Sequence, residues 1–99
     1  MPNNSLLPYD TGSTVRRILL TELAAGLSYS RVARLRCNEG QPYATQLECA
    51  SQALLKATSM MEKLGFDFPQ LDDVTAHLER LRFQVSALRE THERQAQLP

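Results

Sequence analysis

Apolar residues in the C-terminal two thirds of the chain recur at alternating intervals of three and four, the spacing that gathers them on one face of a helix. The cleanest run is Tyr43, Leu47, Ala50, Leu54, Ala57, Met61 and Leu64. It predicts a helix over 42–64, opened by Pro42 at the first helical position, where the missing amide hydrogen costs nothing, and closed by Gly65 as a left-handed cap. A second run, Leu71, Val74, Leu78, Leu81, Val85, Leu88 and His92, predicts a helix over 71–94 with Asp72 and Asp73 at its positive end. Its opposite face carries Glu79, Arg80, Arg82, Arg89, Glu90 and Arg94, and Glu90 precedes Arg94 by the four residues that favour an ion pair.

The N-terminal part is patterned differently. A helix over 14–37 is expected, capped by Ser13 or Thr14 and broken at Asn38-Glu39-Gly40. Its apolar positions cover more than one face: Val15, Ile18, Leu19, Ala25, Tyr29, Val32 and Ala33 form one stripe, while Leu20, Leu23 and Leu27 lie on a neighbouring one. Such a helix needs cover on two sides. The small residues Ala24, Ala25, Gly26, Ser28 and Ser30 invite close approach of another backbone, which would offset the roughly 1 kcal/mol that a mid-helix glycine costs. Residues 1–12, with two prolines and no periodicity, read as a flexible arm from which Leu6, Leu7 and Tyr9 could reach the body, and residues 96–99 as a frayed tail. The linker Gly65 to Gln70 holds Phe66 and Phe68, which are expected to fold over the bundle end as a plug.

Together these elements specify an all-α fold, one domain over 13–95, with three long helices in an antiparallel bundle that dimerisation could complete into a larger one. The 99 residues, 42% apolar and 22% charged, are ordinary for such a domain. Eleven basic residues balance eleven acidic ones, so no global field draws in nucleic acid or an anionic membrane. The longest apolar runs, such as Ile18-Leu19-Leu20, are too short to span a bilayer. Met1 to Ser5 lack the positive start and apolar stretch of a secretory signal, so a cytoplasmic protein is expected. Cys37 and Cys49 are expected to be reduced, one near a turn and the other about 10 Å further along its helix.

Candidate chemistry is sparse. Cys37, Cys49, His77 and His92 match no zinc spacing, and the residues three before the histidines are Val74 and Arg89 where a di-iron bundle needs glutamate, so no metal or cofactor is expected. Gly12, Gly26, Gly40 and Gly65 are isolated and form no phosphate loop. No serine or cysteine sits in a nucleophile motif, which points away from an enzyme. The one basic cluster, Arg31, Arg34 and Arg36, lies where cations meet the negative end of a helix, with Glu39 and Glu48 near enough to offset it, so nucleic acid is not the expected partner.

Gly26-x-x-Tyr29 in the first helix, then Gly40-x-x-Tyr43 leading into an alanine-rich second helix with Ala50 and Ala57, resembles the helical hairpin of tetratricopeptide-type proteins over roughly residues 20–60. The first helix is about twice the length of the family's pattern, and no second copy follows at its period of about 34 residues. The resemblance implies a protein-interaction module whose concave face would hold Tyr29, Val32 and Leu23, and it brings no catalytic residues.

The function expected from the sequence is a non-enzymatic interaction or self-assembly module. Leu19, Leu20, Leu23, Leu27 and Tyr29 would be its interface, and a second copy or another helical protein its partner. The competing expectation is a small ligand-binding bundle with an apolar pocket near Tyr29, Cys49, Met60 and the Phe66-Phe68 plug.

Overall fold

The computed structural model describes the backbone of residues 2–64 and 72–97 and the side chains of residues 14–63 and 72–97. Three helices follow in order, α1 (Pro2–Asn38), α2 (Ala44–Leu64) and α3 (Asp72–Ala96), packed against one another with no strand among the described residues. The all-α three-helix bundle expected from the spacing is the fold. The Gly65–Gln70 plug, Leu71 and the side chains of Leu6, Leu7 and Tyr9 lie outside the described residues.

Contacts between α1 and α3 rise together in number: Arg16 with Asp73, Ser30 with Gln84, Cys37 with Gln95. The two helices therefore run parallel, and α2 runs antiparallel to both.

α1 ends as the glycine requires. Gly40 sits at φ 73°, the Gly40 amide donates to the Cys37 carbonyl at 3.1 Å and the Gln41 amide donates to the Arg36 carbonyl at 2.8 Å. This nested pair satisfies two terminal carbonyls and needs a residue tolerant of the left-handed region.

Two boundaries differ from the sequence reading. The Leu47 amide donates to the Tyr43 carbonyl at 2.9 Å, so Tyr43 is the capping position and Pro42 stands just outside the helix. The Pro42 carbonyl instead accepts the Arg36 Nε–H at 2.5 Å, tying the loop back to α1. At the other end α1 starts at Pro2, ahead of the cap expected at Ser13 or Thr14. Once the turns beside α2 and α3 are held, the helix extends toward the N-terminus without a new nucleation cost; Pro2 lies in the first turn, where no amide donor is needed, whereas Pro8 forfeits the bond an amide there would make to the Asn4 carbonyl.

The core uses one stripe from each helix. From α3 it takes Val74, Leu78, Leu81, Val85 and Leu88, as the three-four spacing predicted. From α2 it takes Tyr43, Leu47, Ala50, Ala53, Ala57 and Met61, with Leu54 and Met60 half-buried at the margin. From α1 it takes Leu19, Leu23, Gly26, Ser30 and Ala33, a stripe in which a glycine and a serine hold central places. A Cβ on Gly26 would lie 2.6 Å from Leu81 Cδ2 and 2.9 Å from Ala53 Cβ, so all three helices meet tightly at this level.

Candidate functional site

Because α1 turns Leu19, Leu23, Gly26, Ser30 and Ala33 inward, its other apolar residues are divided between two outer flanks. Leu19 and Leu23 are fully buried in the monomer, so neither is available to a partner and both leave the expected interface; Leu23 leaves the expected concave face as well. Leu20 and Leu27 are half-buried against the core margin. Tyr29 is 43% exposed, and Val32 is exposed near it.

The flank facing α3 carries the more developed feature. Leu27, Arg31, Arg34 and Leu35 from α1 and Arg80, Phe83, Ala87 and Leu88 from α3 enclose a groove of about 410 Å³. Its floor is polar. Ser30, almost completely buried, donates from Oγ to the Leu27 carbonyl at 2.9 Å and meets the Gln84 side-chain amide across the interface. A hydroxyl has one proton for these two partners, so both are served when Gln84 turns its NH2 toward Oγ. The pair favours this register of α1 against α3, because a slip would keep the Ser30 bond to Leu27 but cost Gln84 its partner on α1.

Each groove wall carries one large exposed apolar side chain. Leu35 is 55% exposed and Phe83 74% exposed, one on each helix. Arg31, Arg34 and Arg80 are also at the groove, no lining residue is acidic, and none of the three forms an ion pair with a described carboxylate. The basic patch expected from the sequence is thus divided: Arg31 and Arg34 face α3 and gain Arg80, whereas Arg36 turns to the α1–α2 loop and is held by Pro42.

No family model matches the chain, and no curated protein or solved structure matches it either.

The Phe66-Phe68 plug of the expected pocket lies outside the described residues, and the pocket's other residues stand apart from the described cavities. Cys49 is half-buried, Met60 packs on the core margin, and none of Tyr29, Cys49 and Met60 lines either of the two described cavities. The second cavity, about 360 Å³, lies at the end of the bundle beside Cys37, Tyr43, His92 and Gln95. There the Tyr43 hydroxyl donates to Gln95 Oε1 at 2.8 Å, and its ring meets His92 edge-on at 5.4 Å between centroids. Burial pushes the Tyr43 hydroxyl above its ordinary pKa of 10.0, and the neighbouring Cys37 thiol adds to the shift. These contacts clasp the α1–α2 turn to the end of α3. Cys37 and Cys49 are both free thiols.

Among the described residues no three histidine, cysteine, aspartate or glutamate side chains converge as metal ligands would. No described helix is long and apolar enough to cross a membrane.

Leu35, Arg80, Phe83 and Gln84 were the functional candidates that the sequence reading missed. A signal existed for two of them: Leu35 and Phe83 are large apolar residues that fall outside the core stripes of their helices, Phe83 amid Arg80 and Arg82.

Proposed function

We infer that this chain is a non-enzymatic helical interaction module that engages another protein through the groove between α1 and α3. One observation carries the reading. The core of the bundle is complete without Leu35 and Phe83, yet these two side chains stand exposed on facing walls of one groove. Scattered exposed apolar residues are normal, but apolar residues gathered around a concavity and rimmed by charge mark a surface meant to be covered. The resemblance of residues 20–60 to a tetratricopeptide-type hairpin supports the same reading, although the face concerned is the α3 flank of α1 rather than the one containing Leu19 and Leu23.

Site-specific photocross-linking in expressing cells tests it, with a photoreactive phenylalanine analogue at position 83 and a control at the exposed Gln52. A discrete adduct from position 83, lost when Leu35→Ser is added, is the expected result. Equal labelling from both positions, or none from either, removes the reading.

A second reading draws on the groove volume. About 410 Å³ lies within the range of small-molecule pockets. An apolar ligand at a hundred times its dissociation constant would stabilise the fold by about 2.7 kcal/mol, which a thermal-shift screen would register.

A further inference from the structure

We propose that the occupant of the α1–α3 groove is an acidic amphipathic helix of a partner protein, a specification that rests on the groove being the working surface. Three features of the groove define the occupant.

The first is length. The α1 wall runs from Leu27 to Leu35 and the α3 wall from Arg80 to Leu88, each about 12 Å at 1.5 Å per residue. A docked helix that anchors by apolar side chains at positions i, i+3 or i+4, and i+7 spans about 10.5 Å, which matches both walls.

The second is shape. Small-molecule sites enclose most of their ligand, whereas this groove is a trough with Phe83 74% exposed at its edge. With Ser30 level with Gln84, Leu35 lies roughly 9 Å further along the groove than Phe83, so one occupant that covers both must be elongated along it, as a helix is.

The third is charge. Arg31 and Arg34 stand on one wall and Arg80 on the other, with no acidic residue in the lining, in a chain whose formal charge is zero. Carboxylates flanking the apolar stripe of a docked helix would meet these guanidinium groups as charge-assisted hydrogen bonds, while a basic helix would be repelled. A nucleic-acid strand would satisfy the arginines but leave Leu35 uncovered, and among the described groove-lining residues only Phe83 could stack on a base.

The test uses the full-length chain and three fluorescein-labelled peptides of about 14 residues, with leucine at the three-four spacing and glutamate, glutamine or lysine at the flanking positions. Fluorescence anisotropy gives the dissociation constants. The expected result is that the glutamate peptide binds at least about tenfold more tightly than the glutamine peptide and the lysine peptide least tightly. That preference should vanish in the combined Arg31→Ala, Arg34→Ala and Arg80→Ala variant, whose helical circular dichroism and melting temperature should be unchanged.

If the glutamate and glutamine peptides bind equally and both are lost with Phe83→Ser, the acidic occupant is wrong while the groove remains the working surface. If no peptide binds, or binding ignores both Phe83→Ser and the arginine variant, the groove reading falls and the proposal falls with it. Arginine-dependent binding of decanoate or oligouridylate tighter than that of the glutamate peptide would overturn the proposal in favour of a lipid or a nucleic acid. Concentration-dependent dimerisation abolished by Phe83→Ser, seen by light scattering, would overturn it in favour of a second copy.

Discussion

Gly26 of α1 faces Ala53 of α2 so closely that a methyl group on the glycine would stand 2.9 Å from the alanine Cβ. Neither partner has a flexible end that could move aside, and Leu81 of α3 closes the other side at 2.6 Å. Gly26→Ala therefore sets a helix-propensity gain of about 1 kcal/mol against an overpacking cost of about 1–3 kcal/mol. Net destabilisation is expected, visible as a lower urea midpoint. An unchanged or raised midpoint would show that the backbones separate freely at this crossing.

Two buried serines should respond in opposite directions. Ser30 Oγ is bonded to the Leu27 carbonyl and Gln84, whereas Ser51 Oγ has no partner among the described residues. Ser30→Ala is expected to cost about 1 kcal/mol and Ser51→Ala to stabilise by a similar amount, since an unpaired buried hydroxyl forfeits its hydration without return. Chemical denaturation of the two single variants decides the matter, and a shared sign would contradict it.

The α1–α3 pairing should confer acid sensitivity. The Arg16 guanidinium beside Asp73 holds that carboxyl below its usual value of 3.8, burial opposes the shift, and the Val74 amide, which donates to Asp73 Oδ1 at 2.8 Å, reinforces it. A depressed folded-state pKa gives stability that is fully present above the unfolded value and is lost as the pH falls through the folded one. Thermal melts from pH 5 to pH 2 should therefore fall more steeply for the native chain than for Asp73→Asn, with the difference opening below about pH 4. Parallel curves would mean that the pair adds nothing.

At the opposite end of the bundle the sensitivity is alkaline. Tyr43 has a raised pKa because burial disfavours the phenolate, so its contribution is intact below about pH 10 and declines as the pH rises through the folded-state value. Tyr43→Phe keeps the edge-on contact with His92, loses the bond to Gln95, and should cost about 0.5–1.5 kcal/mol at neutral pH. It should also flatten the alkaline limb of the urea midpoint between pH 9 and pH 11, and an unaltered limb would assign the effect to other groups.

Phe83 and Leu81 are two residues apart on α3 and differ completely in surroundings. Leu81 is fully buried and Phe83 is 74% exposed. Leu81→Ala should destabilise by about 2–5 kcal/mol, and Phe83→Ser should change stability by no more than about 0.5 kcal/mol. A large loss at Phe83 would show that it supports the fold and does not serve as a docking contact.

Residue spacing alone determined that α2 and α3 exist and which face of α3 is buried. Val74, Leu78, Leu81, Val85 and Leu88 are both the apolar stripe and the buried stripe, because each faces a neighbour that rewards apolar area and the charged outer face leaves no rival. Gly40 likewise announced the end of α1, since a left-handed cap is a local matter of backbone sterics. What only the tertiary structure decided is the rotation of α1. Its apolar residues offered several faces, and the one turned inward includes Gly26 and Ser30, which no hydrophobic ranking would choose. They are selected by partners distant in sequence: Ala53 and Leu81 approach too closely for any side chain on Gly26, and Gln84 supplies the polar partner for Ser30. The groove follows from the same rotation. Arg31, Arg34 and Leu35 line one groove with Arg80 and Phe83 only because parallel packing brings together residues of two helices separated by the whole of α2, a relation that periodicity within one helix cannot express.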